Sequence, residues 1–286
     1  MTDVFAANNV AVITGAANGI GRVLARRCAS EGMRVVLADK NAAALSATAA
    51  ELQASGAEIL AVPTDVSQAH DMEALAEATR STFEVAHLLC NNAGVGITTP
   101  ILQSTIEDWE WALGVNLWGV IHVVRVFVPL MRAHHDPCHI VNTASIAGLI
   151  SPPGLGVYRT TKHAVVAYSE ALYHELAEQA PHIKISVLCP GIVKTQIMSS
   201  AHRPQIATEN ETTMRGQDSE EEQRLQRALE EGMAPEAVAE LVFQAVREER
   251  FYILTHPERN WQIRDRMEDI LLGRNPTGTT RSRFPA

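Results

Sequence analysis

The sequence is poor in cysteine, has no excess of basic charge and contains no long uninterrupted apolar run. Its four cysteines, Cys28, Cys90, Cys138 and Cys189, lie far apart, with no Cys-x-x-Cys pair and no His/Cys group at ligand spacing. A disulfide scaffold is therefore excluded, no metal is expected, and the thiols read as small apolar core residues of a reduced compartment. With 24 Lys and Arg against 33 Asp and Glu, the net charge of -9 offers no field for nucleic acid or an anionic membrane surface. Met1 to Asn9 has neither a cationic start nor an apolar stretch, and no unbroken apolar run approaches the ~18 residues of a membrane span. A soluble, cytoplasmic protein is expected, with no nucleic-acid or membrane partner. No internal repeat and no domain boundary stand out, and 286 residues with 46% hydrophobic content suffice for one substantial core.

What is present is a rhythm. Short apolar runs at Val10–Thr14, Arg34–Ala38, Ile59–Val62, His87–Cys90, His139–Thr143 and Ile183–Cys189 alternate with longer helical stretches. These stretches run to Glu31, over Ala42–Ser55 and Met72–Phe83, from about Ile106 to His134, and from about Val157 to Gln179. Strand and helix in alternation predict a doubly wound parallel sheet of the Rossmann type, an α/β fold with helices on both faces and a single domain over 1–286. The polar, Glu-rich run from Ser199 to Gly232 breaks the rhythm and reads as a substrate-side lid, with a solvated surface helix as its plain counterpart. A helix at Glu236–Glu249 and a strand at Phe251–Leu254 follow. The Gly-, Pro- and Arg-containing tail from Gly273 to Ala286 reads as a C-terminal arm.

Directly after the first strand stands Thr14-Gly15-Ala16-Ala17-Asn18-Gly19-Ile20-Gly21, opening a helix. Glycines permit a sharp turn and a close approach to pyrophosphate, and the helix N-terminus offers free N–H donors. The GxxxGxG spacing is weak by itself, and a P-loop is excluded because no Lys-Ser/Thr pair follows. Asp39, 18 residues past Gly21 at the end of the second strand, strengthens it. Its carboxylate can accept from ribose hydroxyls and would repel a 2′-phosphate, so NAD is favoured over NADP. Lys40 and Arg22 are nearby cations able to offset a phosphate, although both also read as solvated surface charges.

Tyr158 and Lys162 are four residues apart on a helical stretch and so share one face. A neighbouring ammonium stabilises phenolate and moves a tyrosine toward use as a general acid/base. Ser145, thirteen residues before Tyr158, follows a strand whose carboxyl end opens onto the ligand crevice. On these motifs the sequence resembles the short-chain dehydrogenase/reductase family from about Val10 to Thr195. The resemblance implies that Gly15, Asn18, Gly19, Ile20 and Gly21 form the cofactor turn, that Asp39 meets the ribose, and that Asp65 and Val66 lie beside the adenine. It further implies roles for the Asn91-Asn92-Ala93-Gly94 segment in cofactor binding (Asn92, Ala93 and Gly94), and for Pro190, Gly191, Val193 and Thr195 beside the nicotinamide. By the same resemblance Asn116, Ser145, Tyr158 and Lys162 are the catalytic set. Tyr158 exchanges the proton, Lys162 lowers its pKa and binds the nicotinamide ribose, Ser145 orients the substrate oxygen, and Asn116 holds a water. The serine segment Asn142-Thr143-Ala144-Ser145 lacks the second serine that often precedes the catalytic one.

The expected reaction is hydride transfer between NAD and a hydrophobic secondary alcohol or ketone. Val95, Gly96, Leu149, Ile150, Leu155, Ile197 and Met198 are the expected pocket wall, and no basic pair stands out to hold a carboxylate or phosphate. The alternatives are an NADPH-preferring ketone or acyl reductase and, from another class, a catalytically silent dinucleotide sensor. The helices near Asn116 and Tyr158 are apolar nearly all round and need covering on every side. Family resemblance makes a homodimer or homotetramer the expectation.

Overall fold

The computed structural model describes residues 3–197 and 220–277. Seven parallel strands form one sheet: β1 (Val10–Thr14), β2 (Arg34–Asp39), β3 (Ile59–Pro63), β4 (Leu88–Asn91), β5 (Cys138–Thr143), β6 (Ile183–Cys189) and β7 (Tyr252–Leu254). Their spatial order is β3-β2-β1-β4-β5-β6-β7. The inner strands β1, β4 and β5 are buried at every position; β1 and most of β4 therefore read as apolar runs without alternation, while β5 also buries His139, Asn142 and Thr143.

The crossovers are α1 (Gly19–Ser30), α2 (Ala42–Ala54), α3 (Ala69–Phe83), the run α4 (Ile106–Leu113) to α5 (Gly119–Arg132), α6 (Gly156–Gln179) and α8 (Pro235–Arg247), with α7 (Glu220–Glu230) before α8 and α9 (Asn260–Leu271) after β7. One face of the sheet buries Ile13, Val35 and Leu188 with Leu24 and Cys28 of α1 and Val242 and Phe243 of α8. The other buries Val12, Leu89 and Ile140 with Met72 and Leu75 of α3 and Val123 and Phe127 of α5. Local signals set the ends. Asn41 caps α2 by accepting Ala44 N–H at 3.1 Å, and Thr105 with Asp108 forms a capping box that starts α4.

Because strand order runs outward from β1 on one side and from β4 on the other, the loops after these two strands part. A crevice opens there at the carboxyl ends, where open parallel sheets place ligands.

Differences from expectation are local. The fourth strand is Leu88–Asn91 and the last is Tyr252–Leu254, while α3 begins three residues earlier than predicted, at Ala69. Asp71 in its first turn accepts the Asp65 N–H at 2.8 Å, a polar signal that apolar periodicity does not register. Helix α9 went unpredicted, since its apolar residues are mostly exposed. The helical run Ile106–Arg132 is long and apolar enough to cross a membrane by length and composition, although Glu107, Asp108, Glu110 and Arg125 interrupt it. Here it packs on α3, α6 and the sheet. Within the expected lid, 220–232 is described and contains α7; 199–219 lies outside the described residues. Of the expected arm, 273–277 is described, tied down where Thr277 N–H and Oγ1 donate to Asp269 at 3.0 and 2.8 Å, while 278–286 lies outside.

Candidate active site

A cavity of about 730 Å³ occupies the crevice. At its floor Thr14 Oγ1, at the end of β1, accepts the N–H groups of Asn92 and Ala93 at 2.9 and 3.0 Å, stitching the two parting loops. Asn92 Nδ2 returns a bond to Thr14 O at 3.1 Å. Gly15 turns with φ +66, and a Cβ there would stand 2.9 Å from Ala93 Cα. A Cβ at Gly21 would come 2.2 Å from Gly15 O, so α1 can start this close to the turn only with glycine.

Gly15, Asn18, Gly19, Ile20, Asp39, Asp65 and Val66 line this half of the cavity, joined by Asn92, Ala93 and Gly94. Gly21 does not reach it and serves packing instead. Asn18 precedes α1 without capping it by its side chain, leaving the first-turn N–H groups without that partner. Asp39 accepts Ala17 N–H on one oxygen at 3.1 Å and Asn41 N–H on the other at 2.9 Å. Each oxygen keeps a lone pair for a further donor. Arg22 turns away to Glu51 at 2.5 Å, and with Arg26 it holds that carboxyl down to about 2. Lys40 is exposed at the cavity edge.

The other half is built by β5, β6 and α6. Ser145, Tyr158 and Lys162 line it, as do Pro190, Gly191, Val193 and Thr195. Lys162 is buried and donates to Thr143 O at 3.0 Å. Burial in apolar surroundings lowers its ammonium to about 8. Burial also raises the Tyr158 phenol, with the Ser145 hydroxyl acting in the opposite direction. The expected lowering of Tyr158 by Lys162 is thus not what these side chains produce; the ammonium stands 5.7 Å from the ring centroid. Ser145 Oγ donates to Pro190 O at 3.3 Å and accepts Ala147 N–H at 3.1 Å.

Asn116 lies behind the wall, in a single π turn over Gly114–Trp118 that interrupts the helical run. Such bulges recur at functional sites. Its Oδ1 accepts Val95 N–H at 2.9 Å, and Nδ2 donates to Val95 O at 3.0 Å and Thr161 Oγ1 at 3.1 Å. It shares a neighbour with Lys162: a Cβ at Gly94 would lie 3.2 Å from Asn116 Oδ1 and 3.4 Å from Lys162 Nζ.

Of the expected wall, Val95, Gly96, Ile150, Leu155 and Ile197 line the cavity. Leu149 packs instead with Val120, Ala144 and Val165, and Met198 lies outside the described residues. Sequence reasoning missed Leu225 and Leu229 of α7, whose i, i+4 spacing was a usable signal, and Arg159, Arg259 and Gln262. The expectation that no basic pair stands at the pocket is therefore corrected: two arginines distant in sequence, Arg159 and Arg259, line it.

A nicotinamide dinucleotide fits these residues. The glycine cradle is a space that a Cβ would fill, Asp39 presents spare acceptors, and Thr143 Oγ1 is a buried hydroxyl without a partner at the cavity wall.

Comparison with known proteins agrees. The short chain dehydrogenase family profile matches residues 9–205. The chain is 34% identical over 272 residues to a CLA biosynthesis dehydrogenase/reductase of Lactiplantibacillus plantarum, covering 92% of this chain and 93% of that protein. It is 32% identical over 262 residues to a 1-deoxy-11-beta-hydroxypentalenate dehydrogenase of Streptomyces exfoliatus, covering 91% and 87%. A solved short chain dehydrogenase/reductase from Burkholderia phymatum, in complex with NAD, superimposes with a TM-score of 0.91 at 46% identity, covering 97% of this chain and 98% of that one. The chain therefore belongs to the short-chain dehydrogenase/reductase family, and it is an NAD(P)-dependent enzyme of the alcohol dehydrogenase or ketone reductase kind.

Proposed function

We propose that this enzyme uses NAD to interconvert a hydrophobic secondary alcohol and its ketone, with Tyr158 as the acid/base. The observation that carries this reading is the convergence of Ser145, Tyr158 and Lys162 on one end of a cavity whose other end holds Asp39. Bound there, the dinucleotide supplies or accepts the hydride. In the oxidation direction Tyr158 takes the hydroxyl proton of the substrate as the carbinol hydride leaves. In reduction it returns that proton to the ketone oxygen. Ser145, whose hydroxyl turns from Pro190 O to the substrate, donates to the same oxygen and fixes its position. Lys162 has N–H groups beyond the one given to Thr143 O, and these would bind the hydroxyls of the nicotinamide ribose. Asn116 has both amide hydrogens engaged, so the water assigned to it is one that donates to Oδ1 or to the main-chain carbonyl.

NAD over NADP is supported by the free lone pairs of Asp39 and by the engagement of Arg22 with Glu51, which removes one cation from any 2′-phosphate. The NAD-bound relative points the same way. The names of relatives as dehydrogenases of hydroxy compounds support the alcohol/ketone assignment. We further propose that α7 belongs to a lid, because Leu225 and Leu229 face the cavity. A homodimer or homotetramer through α5 and α6 accounts for the exposed Trp118 and Tyr173. A reduced, cytoplasmic setting suits four buried free thiols.

The test is absorbance of reduced nicotinamide with purified protein, NAD or NADP, and a panel of aliphatic, aromatic and polycyclic secondary alcohols, with the ketones and reduced cofactors in reverse. Turnover with NAD is expected. Tight NADH binding with no turnover in either direction would support the sensor reading instead.

A further inference from the structure

The substrate half of the cavity carries polar groups that hydride transfer does not use. Arg259 and Gln262 enter its wall from the start of α9, three residues apart and so on one side of that segment. Among the described residues Arg259 has no carboxylate partner, in contrast to Arg22, Arg26, Arg27 and Arg247, each of which is ion-paired. Gln262 Oε1 is buried without any hydrogen bond. An amide end turns over with little change of shape, so this group can present either an acceptor or an N–H donor. Both residues share the cavity with Arg159, the neighbour of Tyr158, whose guanidinium donates to Gly154 O at 2.9 Å and Ile150 O at 3.4 Å and so holds the apolar wall.

The net charge of -9 repels anions at a distance, yet Arg159 of α6 and Arg259, just before α9, both line the cavity. Burial lowers His163, with Arg266 and Arg159 acting in the same direction, and burial lowers His256, where Glu258 opposes the shift and Arg259 adds to it. Apolar wall residues such as Ile150, Leu155, Leu225 and Leu229 surround this polar corner.

We infer that the substrate is a hydroxy acid or its keto counterpart: an apolar body whose carboxylate is received by Arg259 and the Gln262 amide while its carbinol carbon lies at Tyr158. This rests on the proposed reaction at Tyr158 and adds the second anchor. A guanidinium in a partly buried wall makes charge-assisted bonds to a carboxylate that an uncharged ester cannot replace. Discrimination of about 10–100-fold follows from such bonds.

The test measures binding to the enzyme–NADH complex by nucleotide fluorescence, with dodecanoate and cyclohexanecarboxylate as probes beside their methyl esters. Either carboxylate should bind about 10–100-fold more tightly than its ester in the wild type. Arg259→Leu should abolish that preference, and Arg259→Lys should restore part of it; unaltered NADH binding by both variants shows that they fold. Equal binding of acid and ester by the wild type, or a preference that survives in Arg259→Leu, overturns the inference. Tyr158→Phe separates the two ideas. Retained carboxylate preference with lost turnover supports both; turnover that survives in Tyr158→Phe defeats the acid/base reading and leaves the Arg259 result to stand by itself.

Discussion

The two ends of the sheet bury similar groups to opposite effect. At the carboxyl ends of β1, β2, β4, β5 and β6, polar side chains line a cavity and keep unused capacity: Asp39 has spare lone pairs, Lys162 spare N–H groups, and Thr143 Oγ1 no partner. At the amino ends most polar groups close on one another, with His134 Nδ1 left without a hydrogen bond. Val10 N–H donates to His87 Nδ1 at 3.1 Å, so Nε2 carries the proton and faces Asp136 at 3.9 Å. His139 Nε2 meets Ser186 Oγ at 2.8 Å, and that hydroxyl donates onward to Arg250 O at 2.7 Å. Burial drives His87 down to about 4 and His139 to about 3. The fold brings His87, His134 and Asp136 within metal-ligand distance of each other, a grouping invisible in sequence. The Val10 bond nevertheless leaves His87 Nε2 protonated and without a lone pair to offer. Burial alone therefore does not make a site; burial beside a cavity, with hydrogen-bonding capacity left over, does.

The comparison breaks most visibly at Tyr158 and Lys162. Tyr158→Phe and Lys162→Met are each expected to lower kcat by roughly 10²–10⁴-fold, read from initial rates, whereas His139→Asn at the opposite end should leave the rate per folded molecule unchanged. Next in size is the cofactor half. Gly21→Ala places a methyl 2.2 Å from Gly15 O, and equilibrium binding should show NADH affinity lost together with a lower thermal midpoint. Asp39→Ser should shrink the preference for NAD over NADP by roughly 10–100-fold in kcat/KM, the worth of a carboxylate's hydrogen bonds and its repulsion of phosphate. An unchanged ratio would move the discrimination to another residue.

Two pH profiles sharpen the same contrast. At the carboxyl end, burial raises the Tyr158 phenol and lowers Lys162 to about 8. Alcohol oxidation, which needs the tyrosine to accept a proton, should therefore accelerate toward alkaline pH, while ketone reduction, which needs it protonated, stays level through neutrality. At the amino end the folded pKa values of His87 and His139 lie below the unfolded value near 6.5. Their stabilisation is complete above that value and declines as pH falls from 6.5 toward 4, because the unfolded chain then binds the extra protons. A fall of roughly 5–10 °C in thermal midpoint between pH 7 and 5 is expected. A flat profile would contradict the neutral, buried state of these rings.

Legibility followed chain locality. The turn from Thr14 to Gly21, the Asp39 position and the Tyr158/Lys162 pair each depend on short-range spacing, and the structure brings these segments to one cavity. The parallel sheet was readable because short apolar runs such as β1 alternate with longer helical stretches, although β5 carries the buried polar residues His139, Asn142 and Thr143. Three features were not. The π turn at Asn116 leaves the helical pattern of Ile106–Arg132 unbroken in sequence. The α9 helix exposes Met267, Ile270 and Leu271, so its periodicity misleads. That Arg159 and Arg259 line one cavity is a long-range result of the fold that no local spacing encodes.

The central claim is direct hydride transfer between nicotinamide and a secondary carbinol carbon. Its most direct test uses a turned-over secondary alcohol deuterated at that carbon, with the NADH product examined by mass spectrometry. The account predicts NADH carrying the deuterium, formed by the wild type and not by Tyr158→Phe. Unlabelled NADH, with the deuterium found in solvent, would contradict it.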